Sequence, residues 1–291
     1  MEKTRKPLTE LTLLNRFLFS EVMEDPENME TILEIILGKE VVLKYLPQVE
    51  KEHKKSPLYR FAKVDVWCID RDDVVYDTEV QRIDTKNLQK RSRYYQGVID
   101  SKLLKPGDID FNKLNPVFVI IIGPFDLFGY DKYMYTFRMK CDEVNGLGLD
   151  DGAVRIFLNT HGKNDDEVRP ELVELLHYIE HTNEKGLDIS QNEKLQKLRE
   201  RVAGIQQNGE VSVRYMQAWE ELIMEKNESR EAGRREGLET GRREGLEAGE
   251  KQQLLKLIHK KQEKGKSLEQ IAEELEASVE VIEALLSDHV R

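Results

Sequence analysis

The sequence predicts an α/β fold with a helical C-terminal extension. Two short segments, residues 61–70 and 74–82, alternate apolar and polar side chains and contain many β-branched residues, which is typical of strands. The polar residues 71–73 between them predict a turn, so we expect an antiparallel hairpin. Residues 117–122 (VFVIII) are wholly apolar, as in a central strand buried on both faces. From residue 167 onward the pattern is helical.

The other elements of the N-terminal part follow from the same patterns. Residues 11–23 carry apolar side chains at helical spacing, and a second helix is expected at residues 29–37. A helix with many basic side chains is expected at residues 86–104, directly after the hairpin. Two further strands are expected at residues 133–140 and 153–159. The order helix, hairpin, helix, buried strand indicates an α/β domain.

We expect the first domain to comprise residues 1–226, followed by a charged tail at residues 227–262. The tail repeats with a period of eight (EAGRREGL, ETGRREGL), and glycine recurs at every fourth residue from Gly233 to Gly249. Each glycine disfavours a lone helix by about 1 kcal/mol. The tail is therefore either a flexible tether or a helix against which a second helix packs. The regular spacing favours the helix pair, and with it a homodimer formed through the tail.

Residues 263–291 resemble a small helix-turn-helix unit. Its second helix carries Glu280 and Glu283 and no basic residue, so it cannot neutralise DNA phosphates. This pattern favours a protein-interaction or oligomerisation role.

Composition limits the class of protein. The 291 residues leave room for one core domain of about 200 residues with appendages. The net charge of −11 argues against a protein that coats nucleic acid nonspecifically, but it leaves room for an enzyme with a local basic groove. Two cysteines suit a reducing compartment, and Cys68 lies within an apolar strand, where we expect it to be buried. Without a signal peptide or a long apolar segment, we expect a soluble cytoplasmic protein with no membrane partner.

The hairpin gathers side chains that suit phosphodiester chemistry. Asp65 lies in the first strand and Glu79 in the second, and Gln81 shares the face of Glu79 because alternate residues of a strand point the same way. A hairpin can bring Asp65 beside them. Two carboxylates and an amide next to a basic helix are consistent with a metal-dependent phosphodiester site. No phosphate loop, nucleophile elbow or zinc-protease motif competes with this interpretation.

These residues resemble the PD-(D/E)XK nuclease superfamily, and within it the recombination-promoting nuclease and putative transposase family of bacteria. The matching segments are LNRFLFSEVM, KVDVWCID, VVYDTEVQ and LQKRSRYYQGVI, and the resemblance covers roughly residues 10–230. It implies a restriction-endonuclease-like core, in which helices flank a mixed central sheet.

The resemblance also implies roles for single residues. Asp65 and Glu79, with the backbone carbonyl of Val80, would bind a catalytic Mg²⁺ or Mn²⁺ ion, which is a hard cation that prefers oxygen ligands. Gln81 stands where many superfamily members have lysine, although E-x-Q is the usual form within this family. A neutral amide can orient a water molecule but supplies no charge. Asp65, Glu79 and Gln81 are therefore the predicted catalytic residues.

Two further sets of residues follow from the resemblance. Glu21, on the first helix, is a candidate additional metal ligand, or else a solvated helix residue. Arg16 stands where the family often has an acid. The basic helix is expected to contact DNA phosphates, or else to expose its charges to solvent and pack its tyrosines in the core. The candidate DNA-binding residues are Lys90, Arg91, Arg93, Tyr94 and Tyr95.

The leading hypothesis is a divalent-metal-dependent DNA endonuclease that acts in recombination, mobile-element movement or defence. One alternative is a catalytically inactive nuclease-fold protein that binds DNA or a protein partner. A second alternative is a scaffold that oligomerises through its C-terminal tail.

Overall fold

The computed structural model describes residues 5–49, 52–53, 62–63, 65–104, 107–184 and 192–288. The chain divides into two compact units, Met1–Gln217 and Ala218–Arg291. The helices are α1 (Arg16–Met23), α2 (Pro26–Leu37), α3 (Leu88–Leu103), α4 (Pro170–Glu180), α5 (Glu193–Gln206), α6 (Gly209–Gln262), α7 (Leu268–Glu274) and α8 (Val279–Asp288). The strands are β1 (Gln48–Val49), β2 (Glu52–His53), β3 (Ala62–Lys63), β4 (Val66–Ile69), β5 (Val75–Val80), β6 (Val117–Gly123), β7 (Met134–Phe137) and β8 (Ala153–Asn159).

A mixed sheet forms the centre of the first unit. Its strand order is β1-β4-β5-β6-β8-β7. Strands β5, β6 and β8 are parallel neighbours, whereas β1, β4 and β7 run antiparallel to the strands they pair with. Strands β2 and β3 pair with each other in a separate sheet. The mixed sheet with flanking helices confirms the predicted α/β fold.

The hairpin of β4 and β5 has the predicted antiparallel register, in which Val66 pairs with Thr78 and Ile69 with Val75. Its strands are shorter than the sequence pattern predicted because the turn begins at Asp70. Oδ1 of Asp70 accepts hydrogen bonds from the N–H groups of Asp72 and Val74, and these bonds close the turn. The predicted strand start at residue 61 lies outside the described residues.

The two faces of the sheet have different surroundings. The face that we call the apolar face carries Cys68, Tyr76, Ile120 and Ile156, and it packs against α1, α2, α4 and α5 in the larger hydrophobic core. The opposite face, which we call the acidic face, carries three buried carboxylates together with a smaller apolar cluster under α3. The three carboxylates belong to Asp65, Asp77 and Glu79.

Local sequence signals fix the ends of several helices. The side chain of Asn15 accepts hydrogen bonds from the N–H groups of Phe17 and Leu18, at 3.0 and 3.4 Å, so Arg16 is the first residue of α1. Helix α2 begins at Pro26, earlier than predicted, because Asp25 caps it. Helix α3 begins at Leu88 instead of residue 86, since Lys86 has a φ of +58°, outside the helical region.

The second unit is helical. The glycine-spaced repeat lies within α6, and a Cβ added at any of its glycines would meet no atom within 4 Å, so among the described residues no second helix packs there and the helix pair stays a prediction. Near the end of the chain, α7 and α8 pack with the last turns of α6 around Ile258, Ile271 and Ile282. The division between the units falls inside α6, and the domain boundary near residue 226 stays a prediction. Within the described ranges, no helix is long and apolar enough to cross a membrane.

Candidate active site

Asp65 and Glu79 face each other at the end of the hairpin that lies away from its turn. Val66 of β4 pairs with Thr78 of β5, and continuing this register by one residue sets Asp65 opposite Glu79; each of the two is 1% exposed. The N–H group of Asp65 donates to Oε1 of Glu79 at 3.0 Å. In the other direction, the N–H group of Val80 donates to Oδ2 of Asp65 at 3.2 Å. These backbone hydrogen bonds hold both buried carboxylates in fixed positions.

Gln81 directly follows β5, and its side chain lies on the same side of the sheet as Glu79. Its backbone N–H group donates to the carbonyl of Ile122 in β6 at 2.8 Å, which anchors the residue to the sheet. Its side-chain amide donates to Oε2 of Glu79 at 3.4 Å. The structure therefore places Gln81 beside Glu79, where the amide offers hydrogen bonds but no charge.

Two arginines from different helices bind the carboxylate pair. Nη2 of Arg91, on α3, donates to Oε2 of Glu79 at 3.0 Å, and its guanidinium lies 5.3 Å from the centre of the Tyr95 ring. Nε of Arg16, on α1, forms an ion pair with Oδ1 of Asp65. Arg16 was not predicted as a site residue, because only tertiary packing brings the first turn of α1 to the hairpin.

Asp77 is a third buried carboxylate that sequence reasoning missed. It lies two residues before Glu79 on the acidic face, opposite Trp67 of β4, and its exposure is 0%. Neither of its carboxylate oxygens has a hydrogen-bond partner among the residues that the structure describes. The period-two pattern that connected Glu79 with Gln81 also connects Glu79 with Asp77, so this signal was available in the sequence.

Burial dominates the electrostatics of the three carboxylates. It raises the pKa of Asp65, Asp77 and Glu79, and repulsion by Glu79 raises the pKa of Asp65 and Asp77 further. The positive charges of Arg16 and Arg91 oppose this rise. Buried carboxylates so close together favour their charged forms only when cations compensate them. The carboxyl groups of the site therefore either take up protons or are neutralised by nearby cations.

The donor atoms fit a divalent metal ion. Carboxylate oxygens of Asp65 and Glu79 are the hard ligands that Mg²⁺ and Mn²⁺ prefer. The carbonyl of Val80 points to the same side as its N–H group, because both groups of one strand residue face the same neighbour, and that N–H group contacts Asp65. In the described part of the chain, no group of three or more His, Cys, Asp or Glu side chains forms a ready-made metal cage. Two carboxylates and one carbonyl suit Mg²⁺, which keeps several waters.

The predicted DNA-binding residues divide into two groups on α3. Lys90, Arg93 and Tyr94 point outward, and Tyr94 is 41% exposed. Arg91 and Tyr95 point inward, where Arg91 binds Glu79 and the buried Tyr95 packs near Trp67. The outward group forms the basic edge of α3, and its contact with DNA stays a prediction.

Glu21 has a different partner from the one predicted. Its carboxylate binds the guanidinium of Arg214, whose Nε donates to Oε1 of Glu21 at 3.1 Å. None of the contacts described for Glu21 reaches Asp65 or Glu79. The role of Glu21 as an additional metal ligand stays a prediction.

Comparison with known proteins identifies the family. A model of the PD-(D/E)XK nuclease family transposases matches residues 13–232, a range that includes the hairpin, α3 and the whole central sheet. No curated protein and no solved structure matches the chain. The family match covers most of the chain and contains the carboxylate pair, so this protein belongs to the PD-(D/E)XK nuclease family transposases.

Proposed function

We propose that this protein is a divalent-metal-dependent DNA endonuclease that hydrolyses phosphodiester bonds at Asp65 and Glu79. The observation that carries the proposal is the reciprocal arrangement of these two buried carboxylates, each held by a backbone N–H group of the other strand. Carboxylates fixed in this way, in a chain of a nuclease family, are suited to bind a cation next to a phosphate.

Each residue of the site has a proposed role in hydrolysis. Asp65, Glu79 and the carbonyl of Val80 would hold Mg²⁺ or Mn²⁺, which polarises the phosphate and lowers the pKa of water. Gln81 orients the attacking water through its amide. The water oxygen forms a bond to phosphorus, the bond from phosphorus to a sugar oxygen breaks, and that oxygen takes up a proton while the attacking water loses one.

The basic edge of α3 is the proposed DNA contact. Lys90 and Arg93 offer positive charge for backbone phosphates, and the exposed Tyr94 offers a hydroxyl group. Because such contacts release counterions, we expect DNA affinity to fall steeply with salt. A role in recombination, mobile-element movement or defence, in the bacterial cytoplasm, stays a prediction.

A cleavage assay with matched variants tests the proposal. Purified protein is incubated with supercoiled plasmid and Mg²⁺ or Mn²⁺, and with EDTA as the metal-free condition. We expect Asp65→Asn and Glu79→Gln each to lower the nicking rate by at least about 100-fold, because each removes a charged metal ligand. Asp72→Asn is the matched control, since Asp72 is exposed in the turn at the other end of the hairpin. Nicking that survives when Asp65→Asn and Glu79→Gln are combined would refute the assignment of the site.

Gln81 gives a specific reason to keep the catalytically inactive binder as a second candidate. The amide supplies none of the positive charge that lysine provides elsewhere in the superfamily. If the wild-type protein retards DNA in a gel but never nicks it with either metal, the inactive binder replaces the endonuclease.

The long helix α6 is the reason to keep the proposed homodimer and the scaffold alternative. Leu238 and Leu246 in its repeat are 76% and 59% exposed, as expected of side chains available to a second copy. We expect Leu238→Glu with Leu246→Glu to lower the mass of the full chain measured by light scattering. An unchanged mass would exclude a dimer formed through these leucines.

A further inference from the structure

The proposed reaction needs positive charge near the phosphate, and Gln81 does not provide it. Among the residues that the structure describes, Arg16 and Arg91 are the cations that contact the carboxylate pair, and their surroundings differ. The side chain of Arg91 is 23% exposed and lies between Glu79 and the ring of Tyr95, so it is held on two sides. The side chain of Arg16 is 42% exposed. Arg16 is therefore the cation with the more exposed side chain, although its Nε is buried where it meets Asp65.

We propose that Arg16 is a catalytic residue that exchanges partners during the reaction. When a divalent cation binds Asp65, the guanidinium of Arg16 leaves this carboxylate and binds a non-bridging oxygen of the phosphate that is cleaved. Arg16 then supplies the positive charge that Gln81 lacks. This inference rests on the proposed nuclease function.

The contacts of Asp65 explain why the exchange is favourable. Oδ2 of Asp65 accepts the hydrogen bond from the N–H group of Val80, and Oδ1 is paired with Arg16. A metal ion that binds Asp65 therefore competes with Arg16 for the carboxylate, and the divalent ion has the stronger electrostatic attraction. Since the Arg16 side chain is partly exposed already, its release does not leave a charge buried without a partner.

The chemistry of arginine fits the second partner as well as the first. The planar set of guanidinium donors matches both carboxylate and phosphate oxygens. Arg16 begins α1 directly after the cap formed by Asn15, so the backbone from which the side chain swings is fixed. Arg16 therefore binds Asp65 when no metal ion is present and binds the phosphate when a metal ion is bound.

The proposal predicts effects of opposite sign on metal binding and on cleavage. Mn²⁺ binding is measured by calorimetry on the full chain without DNA, for wild type, Arg16→Gln, Arg16→Lys and Arg71→Gln. We expect Arg16→Gln to bind Mn²⁺ roughly tenfold more tightly, because the competing cation is gone. Arg71, exposed in the β4–β5 turn, is the matched control and should leave the affinity unchanged.

Plasmid nicking at saturating Mn²⁺ gives the second readout. We expect Arg16→Gln to lower kcat by about 100-fold, as removal of one preorganised charge at a transition state does, and Arg16→Lys to restore part of the rate. If Arg16 only supports the fold, metal affinity and kcat will both fall in Arg16→Gln, and the proposal is wrong. If the affinity for Mn²⁺ rises while kcat stays at the wild-type value, Arg16 only competes with the metal ion, and its catalytic role is overturned.

The same experiments distinguish failure of this inference from failure of the proposed function. A wild-type protein that never nicks DNA refutes the nuclease, and the catalytic role of Arg16 falls with it. A wild-type protein that nicks DNA at the same rate as Arg16→Gln refutes only the role of Arg16. Thermal unfolding of each variant, followed by circular dichroism, verifies that the compared chains are folded.

Discussion

The two faces of β5 differ sharply although their residues alternate along one short strand. Tyr76 and Val80 point into the larger core, where apolar side chains from four helices surround them. Asp77 and Glu79 point to the acidic face, where burial raises the pKa of both carboxyl groups. One strand thus carries a stabilising face and a face whose charged groups oppose folding.

This difference distinguishes the residues that stabilise the fold from the residues of the proposed active site. Burial of apolar side chains is the main stabilising term in folding. Buried carboxylates lose hydration, and partners such as Arg16 and Arg91 compensate this loss only in part. We therefore expect the buried carboxylates to lower the stability of the fold. Substitutions on the two faces should therefore have opposite effects on the free energy of unfolding.

The largest effect is expected from the apolar face. Ile120 lies in the central strand β6 and is 0% exposed. We expect Ile120→Ala to lower the free energy of unfolding by about 3–4 kcal/mol, from lost apolar burial and the cavity left behind. Urea unfolding followed by far-UV circular dichroism measures it. A loss below about 1 kcal/mol would mean that the larger core does not hold the sheet in the way described.

Asp77 provides the test from the acidic face. We expect Asp77→Asn to raise the free energy of unfolding by about 1–3 kcal/mol at pH 7.5, because the buried Asp77 carboxyl, whose oxygens have no described hydrogen-bond partner, must either keep its charge without hydration or take up a proton on folding. The measurement is the same urea titration. Asp72→Asn is the exposed control, expected to change stability by less than about 0.5 kcal/mol. A lower stability in Asp77→Asn would remove the contrast between the two faces.

The contrast also shows which parts of the site a sequence can predict. Asp65, Glu79 and Gln81 were predicted because a period-two strand and a short turn determine which side chains meet. The pairing of Arg16 with Asp65 depends on how α1 packs against the sheet, and no local pattern encodes that contact. The inward orientation of Arg91, predicted to contact DNA, likewise depends on the position of α3 over the sheet.

The α/β fold itself was predicted from local patterns, whereas the state of the glycine repeat was left open. Strand β8 was predicted with the observed bounds, Ala153–Asn159. The repeat within α6 is helical, although glycine disfavours helices. The intervening residues are good helix formers such as glutamate, arginine and leucine, and summed propensities over a long segment outweigh single unfavourable positions.

The smallest effect is expected at the distant end of the acidic face, in the loop before β7. Oδ1 of Asp126 accepts hydrogen bonds from the Phe128 N–H group at 2.9 Å and from the Tyr135 hydroxyl at 2.8 Å. These bonds hold Phe128 over the apolar cluster under α3. Burial alone would raise the pKa of Asp126, but the hydrogen bonds from Phe128, Tyr135 and Asp131 outweigh it and lower that pKa. The charged form is therefore the one that stabilises the loop.

The sign of the pH dependence follows from this lowered pKa. The contribution of Asp126 is present above the pKa of the unfolded chain, about 3.9, and is lost as the pH falls through the folded-state value. We expect Asp126→Asn to lower the free energy of unfolding by about 1 kcal/mol at pH 7, since a neutral amide accepts these hydrogen bonds less strongly. Urea titrations at pH 7 and near pH 3 should show wild type and variant converging at the lower pH. A difference that persists undiminished in acid would mean that packing, not the charge of Asp126, holds this loop on the acidic face.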